Sequence, residues 1–188
     1  LNYYNKIMSD NSNTSIPENE GVRNALKNKN FPNISLPNQD GNLLNLHRLD
    51  TFRLVLYFYP MTGRPDRPLP DNWNNIPGAK GCTIQTCSFR DNYDQIISLN
   101  AVPIGISSQS VEDNKEMTSR LKVPYDVLSD EKLELSNELN IPTFSVSSKF
   151  FFKRITLIVE KKIIKKVFYP INDINKHIEE VLKWLKAN

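Results

Sequence analysis

Leu54-Val55-Leu56-Tyr57-Phe58-Tyr59-Pro60 and, beyond a Pro-rich loop, Gly81-Cys82-Thr83-Ile84-Gln85-Thr86-Cys87-Ser88-Phe89-Arg90-Asp91 are the stretches that decide the fold. The first is a continuous apolar run stopped by proline, the pattern of a strand buried on both faces. The second opens a helical pattern, so a strand, a loop and a helix follow one another. The helix starts at Cys82, one of only two cysteines in the chain.

That position carries chemistry. A thiol of ordinary pKa, near 8.5, is only about 3% thiolate at pH 7, whereas one lowered to roughly 6 is about 90% thiolate. Unpaired N–H groups at a helix start favour the anion and are expected to lower the pKa. Cys82 is therefore the better-placed nucleophile. Residues five apart in an intact α-helix are turned about 140° from each other, with Cα atoms roughly 8 to 9 Å apart. A disulfide needs less than about 7 Å, so Cys82 and Cys87 can pair only if the first turns unwind. Inert buried thiols are the ordinary alternative. Zinc is a poorer fit: structural sites take four ligands, and His47 and His177 lack a metal-type spacing to the cysteines. Both histidines are expected to be surface or hydrogen-bonded structural residues.

The stretch 81–91 resembles the active-site helix of peroxiredoxins of the bacterioferritin-comigratory-protein, or peroxiredoxin Q, type, in which G-C-T-x-Q-x-C-x-F/L-R-D recurs. Ile34-Ser35-Leu36-Pro37-Asn38-Gln39-Asp40-Gly41 is similar to that family's opening F-x-L-P-D-x-D-G hairpin. Val102-Pro103-Ile104-Gly105-Ile106-Ser107, with Ser110-Val111-Glu112, resembles V-I-G-I-S-x-D-S-x-E. Val123-Pro124-Tyr125-Asp126-Val127-Leu128-Ser129-Asp130 resembles L-P-F-x-L-L-S-D. The likeness runs over roughly residues 31–187.

The resemblance implies a thiol peroxidase acting on hydrogen peroxide or organic hydroperoxides. Cys82 would be the peroxidatic cysteine and Cys87 the resolving one, forming an intramolecular disulfide that a thioredoxin-like protein reduces. It also implies that Pro60 is the proline of the P-x-x-x-T/S-x-x-C signature, and that Arg154, in Arg154-Ile155-Thr156-Leu157, holds the thiolate. It implies no metal or organic cofactor, and a monomer. A peroxide sensor or redox relay on the same fold is the alternative function, and a thioredoxin-fold module without redox activity a third.

One position departs from the signature. Three residues before Cys82 stands Ala79, which has no hydroxyl, because residues 61–81 are fifteen longer than the signature's six-residue gap. Thr62 is the preferred substitute, with Thr83 or backbone N–H groups as alternatives. The Pro-rich insertion is unusually long for a loop in a compact domain. It is either a lid or reductant-docking surface, or a loop that covers apolar surface. Trp73 and Ile76 are expected to anchor it, and Arg64, Arg67 and Lys80 to place positive potential near the sulphur.

The wider pattern agrees with one α/β domain over residues 31–188, a thioredoxin-like sandwich with a central mixed sheet. A helix is expected from Cys82 to about Leu99, with Phe89, Tyr93, Ile96 and Ile97 on its inner face. A strand over residues 102–107, helices over 110–122 and 131–139, and a hairpin of 155–159 with 163–168 follow. The last helix starts after Asn172 or Asp173. Residues 1–30, rich in Asn, Ser, Lys and Glu, read as a flexible extension. At 188 residues, 39% hydrophobic and 24% charged, the composition is that of an ordinary globular chain. No apolar run approaches the roughly 18 residues of a membrane span. A net charge of +3 implies no dedicated nucleic-acid or membrane partner. A cytoplasmic location is expected, with an organellar one, after removal of a targeting segment, kept open.

Overall fold

The computed structural model describes residues 18–188. In chain order, helix α1 (Glu18–Leu26) precedes a small hairpin of β1 (Ser35–Pro37) and β2 (Leu43–Asn45). Next come β3 (Arg53–Phe58), the long loop, α2 (Cys82–Asp91), α3 (Tyr93–Ser98), β4 (Ala101–Ser107) and α4 (Val111–Leu121). The remainder is β5 (Val127–Ser129), α5 (Glu134–Leu139), the hairpin β6 (Thr143–Val146) and β7 (Lys149–Phe152), then β8 (Ile155–Glu160), β9 (Ile163–Phe168) and α6 (Ile174–Ala187).

Five strands form the central sheet in the order β5-β4-β3-β8-β9, with β3, β4 and β5 parallel and β8 and β9 joined antiparallel. The expected thioredoxin-like sandwich with a mixed sheet is what forms. Every residue of β3 is buried because both faces of this central strand are covered. Leu54, Leu56 and Phe58 face a core shared with Leu26 of α1 and Leu135 and Leu139 of α5. Val55, Tyr57 and Tyr59 face the other core, with Phe89 of α2, Ile96 of α3, Met117 of α4 and Val181, Leu182 and Leu185 of α6. Strand alternation thus sorts one apolar run into two layers. Asp173, one of the two expected caps, begins α6, its carboxylate accepting from the N–H groups of Asn175 and Lys176.

Two expectations are corrected. The helix after Cys82 is not continuous: Asn92, at φ −106° and ψ 13°, departs from helical geometry, its side chain donating to the Ser88 carbonyl at 2.9 Å, and the chain restarts as α3. Ile97 is 40% exposed, where an inner position was expected: eight residues on from Phe89 it lies about 80° round the helix, at the edge of the buried face. Nor does the extension run to residue 30. Leu26 is buried, the Asn28 N–H donates to the Ile164 carbonyl at 2.8 Å and that of Phe31 to Lys162 at 2.7 Å, so residues 18–30 dock on β9. Residues 1–17, the rest of that expectation, lie outside the described residues. Among the described residues no helix is long and apolar enough to cross a membrane.

Candidate active site

The sheet brings the site together through register. β3 and β8 run antiparallel with Phe58 opposite Ile155, so the end of β3, with Pro60, lies beside the residue that precedes β8, Arg154. The loop then returns the chain so that α2 starts there with Cys82. Gly81 occupies the turn at φ 97°, a left-handed conformation that suits glycine. A Cβ at this position would lie 2.5 Å from Ile174 Cδ1 of α6, so a larger residue would also push the end of that side chain aside.

Cys82 is 3% exposed and Arg154 5% exposed. Arg154 Nη2 donates to Cys82 Sγ at 3.0 Å, and the Met61 N–H donates to the same sulphur at 3.4 Å. The thiol itself faces the Ala79 carbonyl at 3.7 Å. Arg154 is in turn fixed by the Gln85 side chain, which accepts from Nη1 at 2.6 Å, and by the Ala79 and Lys80 carbonyls, at 3.4 and 2.5 Å from Nη2. The planar fork of arginine suits this set of acceptors.

Burial pushes the Cys82 thiol above its ordinary value, and it outweighs the Arg154 charge and the Met61 N–H, which pull the other way. The depressed value expected from the helix start is therefore corrected: the helix end supplies donors, but the sulphur sits away from water, where an anion is costly. The site buries the sulphur and holds two donors, Arg154 Nη2 and the Met61 N–H, against it.

Cys87 lies in the same intact helix, half-buried, and both cysteines are free. Pro60 is buried at the end of β3. Thr62 is buried too, but its hydroxyl donates to Gln109 Oε1 at 3.2 Å. Gln109 also accepts from the Thr62 N–H at 2.8 Å and donates to the Thr62 carbonyl at 3.1 Å. This grip holds the backbone that carries the Met61 N–H. Thr83 is exposed. The sequence reading passed over Gln85 and Gln109. Gln85 is three residues after Cys82 within the active-site motif, one helical turn along the same face. Gln109 stands where V-I-G-I-S-x-D-S-x-E has an acid.

Trp73 and Ile76 anchor the insertion as expected, Trp73 packing edge-on to Phe151 at 4.9 Å and beside Phe144 at 5.9 Å between ring centres. Its arginines do not supply free positive potential. Arg64 pairs with Asp66, Glu112 and Asp113, and Arg67 with Glu112 and Asp113, because the acidic first turn of α4 faces the loop. An open groove of about 610 Å³ runs beside Met61 and Thr62, between Arg64 and Leu69 of the loop and Phe150 and Phe151 of β7. His177 is buried and shares a 2.8 Å hydrogen bond with Thr156, as expected of a structural histidine.

Comparison with known proteins gives a consistent result. The Redoxin family profile matches residues 26–182. A chloroplastic peroxiredoxin Q of Arabidopsis thaliana is 31% identical over 157 residues, which cover 83% of this chain and 65% of that one. A chloroplastic peroxiredoxin Q of Populus jackii is 28% identical over 191 residues, covering 98% of this chain and 82% of that one. The chain thus spans just under two thirds of the Arabidopsis relative. Among solved structures, the peroxidoxin BcpB of Mycobacterium tuberculosis superimposes with a TM-score of 0.72 at 22% identity, over 86% of this chain and 97% of that one. That similarity establishes the shared fold.

Proposed function

The chain belongs to the Redoxin family, as a peroxiredoxin of the Q type, and on that premise we propose that it reduces hydrogen peroxide or organic hydroperoxides through Cys82. The observation that carries this reading is the 3.0 Å contact between Arg154 Nη2 and Cys82 Sγ at the start of α2. The Cys82 thiolate attacks one peroxide oxygen, the O–O bond breaks, and the other oxygen leaves as water or alcohol after protonation. Arg154 and the Met61 N–H stabilise the negative charge on sulphur before attack and on the oxygens during it. Thr62 acts through Gln109, which aims the Met61 N–H, in place of the hydroxyl that Ala79 lacks.

Cys87 then condenses with the Cys82 sulfenic acid, and a thioredoxin-like dithiol protein reduces the resulting intramolecular disulfide by exchange. The scheme needs one copy of the chain and no cofactor. One solved structure similar to this chain at 20% identity, the bacterioferritin comigratory protein of Xanthomonas campestris, is described in terms of alkyl peroxide reduction. The groove beside Met61 is the place where this chain would take an alkyl tail. The chloroplastic relatives favour the organellar of the two expected locations.

Peroxide consumption with a thioredoxin system, comparing wild type, Cys82→Ser and Cys87→Ser, tests the proposal. Cys82→Ser should abolish consumption, whereas Cys87→Ser should keep the first oxidation and lose turnover by this reductant. Equal loss of the first oxidation in both variants would refute the assignment. A peroxide sensor would oxidise once and stall in wild type.

A further inference from the structure

Thr86, the residue before Cys87, is fully buried and held from two sides by tyrosines that hydrogen-bond to neither the sulphur nor Arg154. Tyr125 Oη donates to the Thr86 carbonyl at 3.0 Å, and Tyr57 Oη lies 3.4 Å from Thr86 Oγ1. The two phenols share a hydrogen bond of 2.9 Å. Tyr57 belongs to the central strand β3 and stacks flat on Phe89 of α2, with ring centres 4.4 Å apart. Room for its hydroxyl is opened by Gly105, its partner on β4: a Cβ there would lie 2.7 Å from Tyr57 Oη. Burial keeps both phenols protonated, Tyr57 at about 12 and Tyr125 well above its ordinary value, so each retains its donor.

The disulfide cannot form on this helix as it stands. Cys82 and Cys87 are the first and sixth residues of an intact α2, where their Cα separation of about 8 to 9 Å exceeds what a disulfide spans. The turn between them must open, and that turn contains Thr86. Resting on the disulfide step put forward above, we propose that Tyr57 and Tyr125 form a latch on Thr86 that keeps α2 wound and sets the rate at which the Cys82 sulfenic acid becomes a disulfide. In that step the Cys87 sulphur attacks the Cys82 sulphur, the S–S bond forms, the S–O bond breaks, and the oxygen leaves as water with the Cys87 proton and its own. No further oxidant or reductant enters. Release of Thr86 leaves the Tyr57–Tyr125 hydrogen bond in place and frees one phenol O–H, which must find another acceptor while the turn is open.

The test separates the two chemical phases in reduced wild type, Tyr125→Phe and Tyr57→Phe. Hydrogen peroxide oxidation is followed by stopped-flow fluorescence, and disulfide formation by quenching with an alkylating reagent and mass spectrometry. Loss of one neutral hydrogen bond predicts disulfide formation about 2- to 10-fold faster in Tyr125→Phe, a smaller gain in Tyr57→Phe, and an unchanged first oxidation. Amide hydrogen exchange along α2 in the reduced protein, which does not depend on sulfenic acid chemistry, should quicken by the same order in Tyr125→Phe. Disulfide formation at the wild-type rate in both variants would overturn the latch while leaving the disulfide step intact. Absence of any Cys82–Cys87 disulfide in oxidised wild type would overturn the disulfide step and the latch with it.

Discussion

Gln85 and Arg154 lie 69 positions apart in the chain and meet in a 2.6 Å hydrogen bond, both almost fully buried, with the other arm of the guanidinium on the Cys82 sulphur. The amide thereby sets the plane of the group that faces the thiol. Gln85→Leu removes the acceptor and leaves a buried donor of a charged group unpaired, which costs about 1 to 3 kcal/mol. Peroxide attack by Cys82 should slow by about 5- to 150-fold, read as the second-order rate of the first oxidation. Gln85→Glu should restore the contact to Arg154 but leave the sulphur in a less positive surrounding, so its thiol should titrate higher than in wild type.

Arg154 counters the burial that pushes the Cys82 thiol up. With that guanidinium gone, deprotonation should require still higher pH: the pH profile of Cys82 alkylation in Arg154→Met should move upward from wild type. Arg154→Lys keeps the charge but cannot bond Gln85, the two carbonyls and the sulphur at once. Attack should fall about 10-fold in Arg154→Lys and about 100-fold or more in Arg154→Met, since hydrogen bonds to charged groups contribute about 1.5 to 3 kcal/mol each. Coincident alkylation profiles in all three proteins would remove Arg154 from its role.

Thr62 and Gln109 are tied by three hydrogen bonds. If their function is to aim the Met61 N–H, Thr62→Val, which loses one bond, should slow peroxide attack by about 2- to 10-fold. Gln109→Leu, which loses all three, should slow it more. The opposite order would return the role to the Thr62 hydroxyl itself.

His177 supplies a pH dependence of stability. Burial lowers its pKa from 6.5 to about 4, helped by the Arg154 charge and opposed by Glu180. The folded state therefore holds the ring neutral where the unfolded chain would take up a proton. Its contribution is intact above pH 6.5 and is lost progressively as pH falls toward about 4, amounting to about 3 kcal/mol at most. Urea unfolding of wild type and His177→Gln between pH 4 and 7.5 should show a shallower acid limb in the variant. Parallel limbs would show that the ring does not titrate between the two states.

Local patterns determined much of this molecule. The apolar run of β3, the helix start at Cys82, the β8–β9 hairpin and the cap of α6 follow from periodicity and side-chain chemistry within a few residues, so they were legible before any coordinates. The two cysteines and Arg154 were legible as well, through a resemblance whose motifs are short and contiguous. What the tertiary structure decided depends on partners distant in sequence. Residues 18–30 dock because Ile164 of β9 and Lys162 just before it offer carbonyl acceptors, and the loop arginines are ion-paired because α4 turns Glu112 and Asp113 toward them, beside Asp66 of the loop itself. The grip of Gln109 on Thr62 spans 47 positions. The state of the Cys82 thiol is the clearest case. A helix start favours the anion and is visible in sequence, whereas desolvation by everything packed around the sulphur opposes it, becomes fixed only on folding, and here is the larger effect.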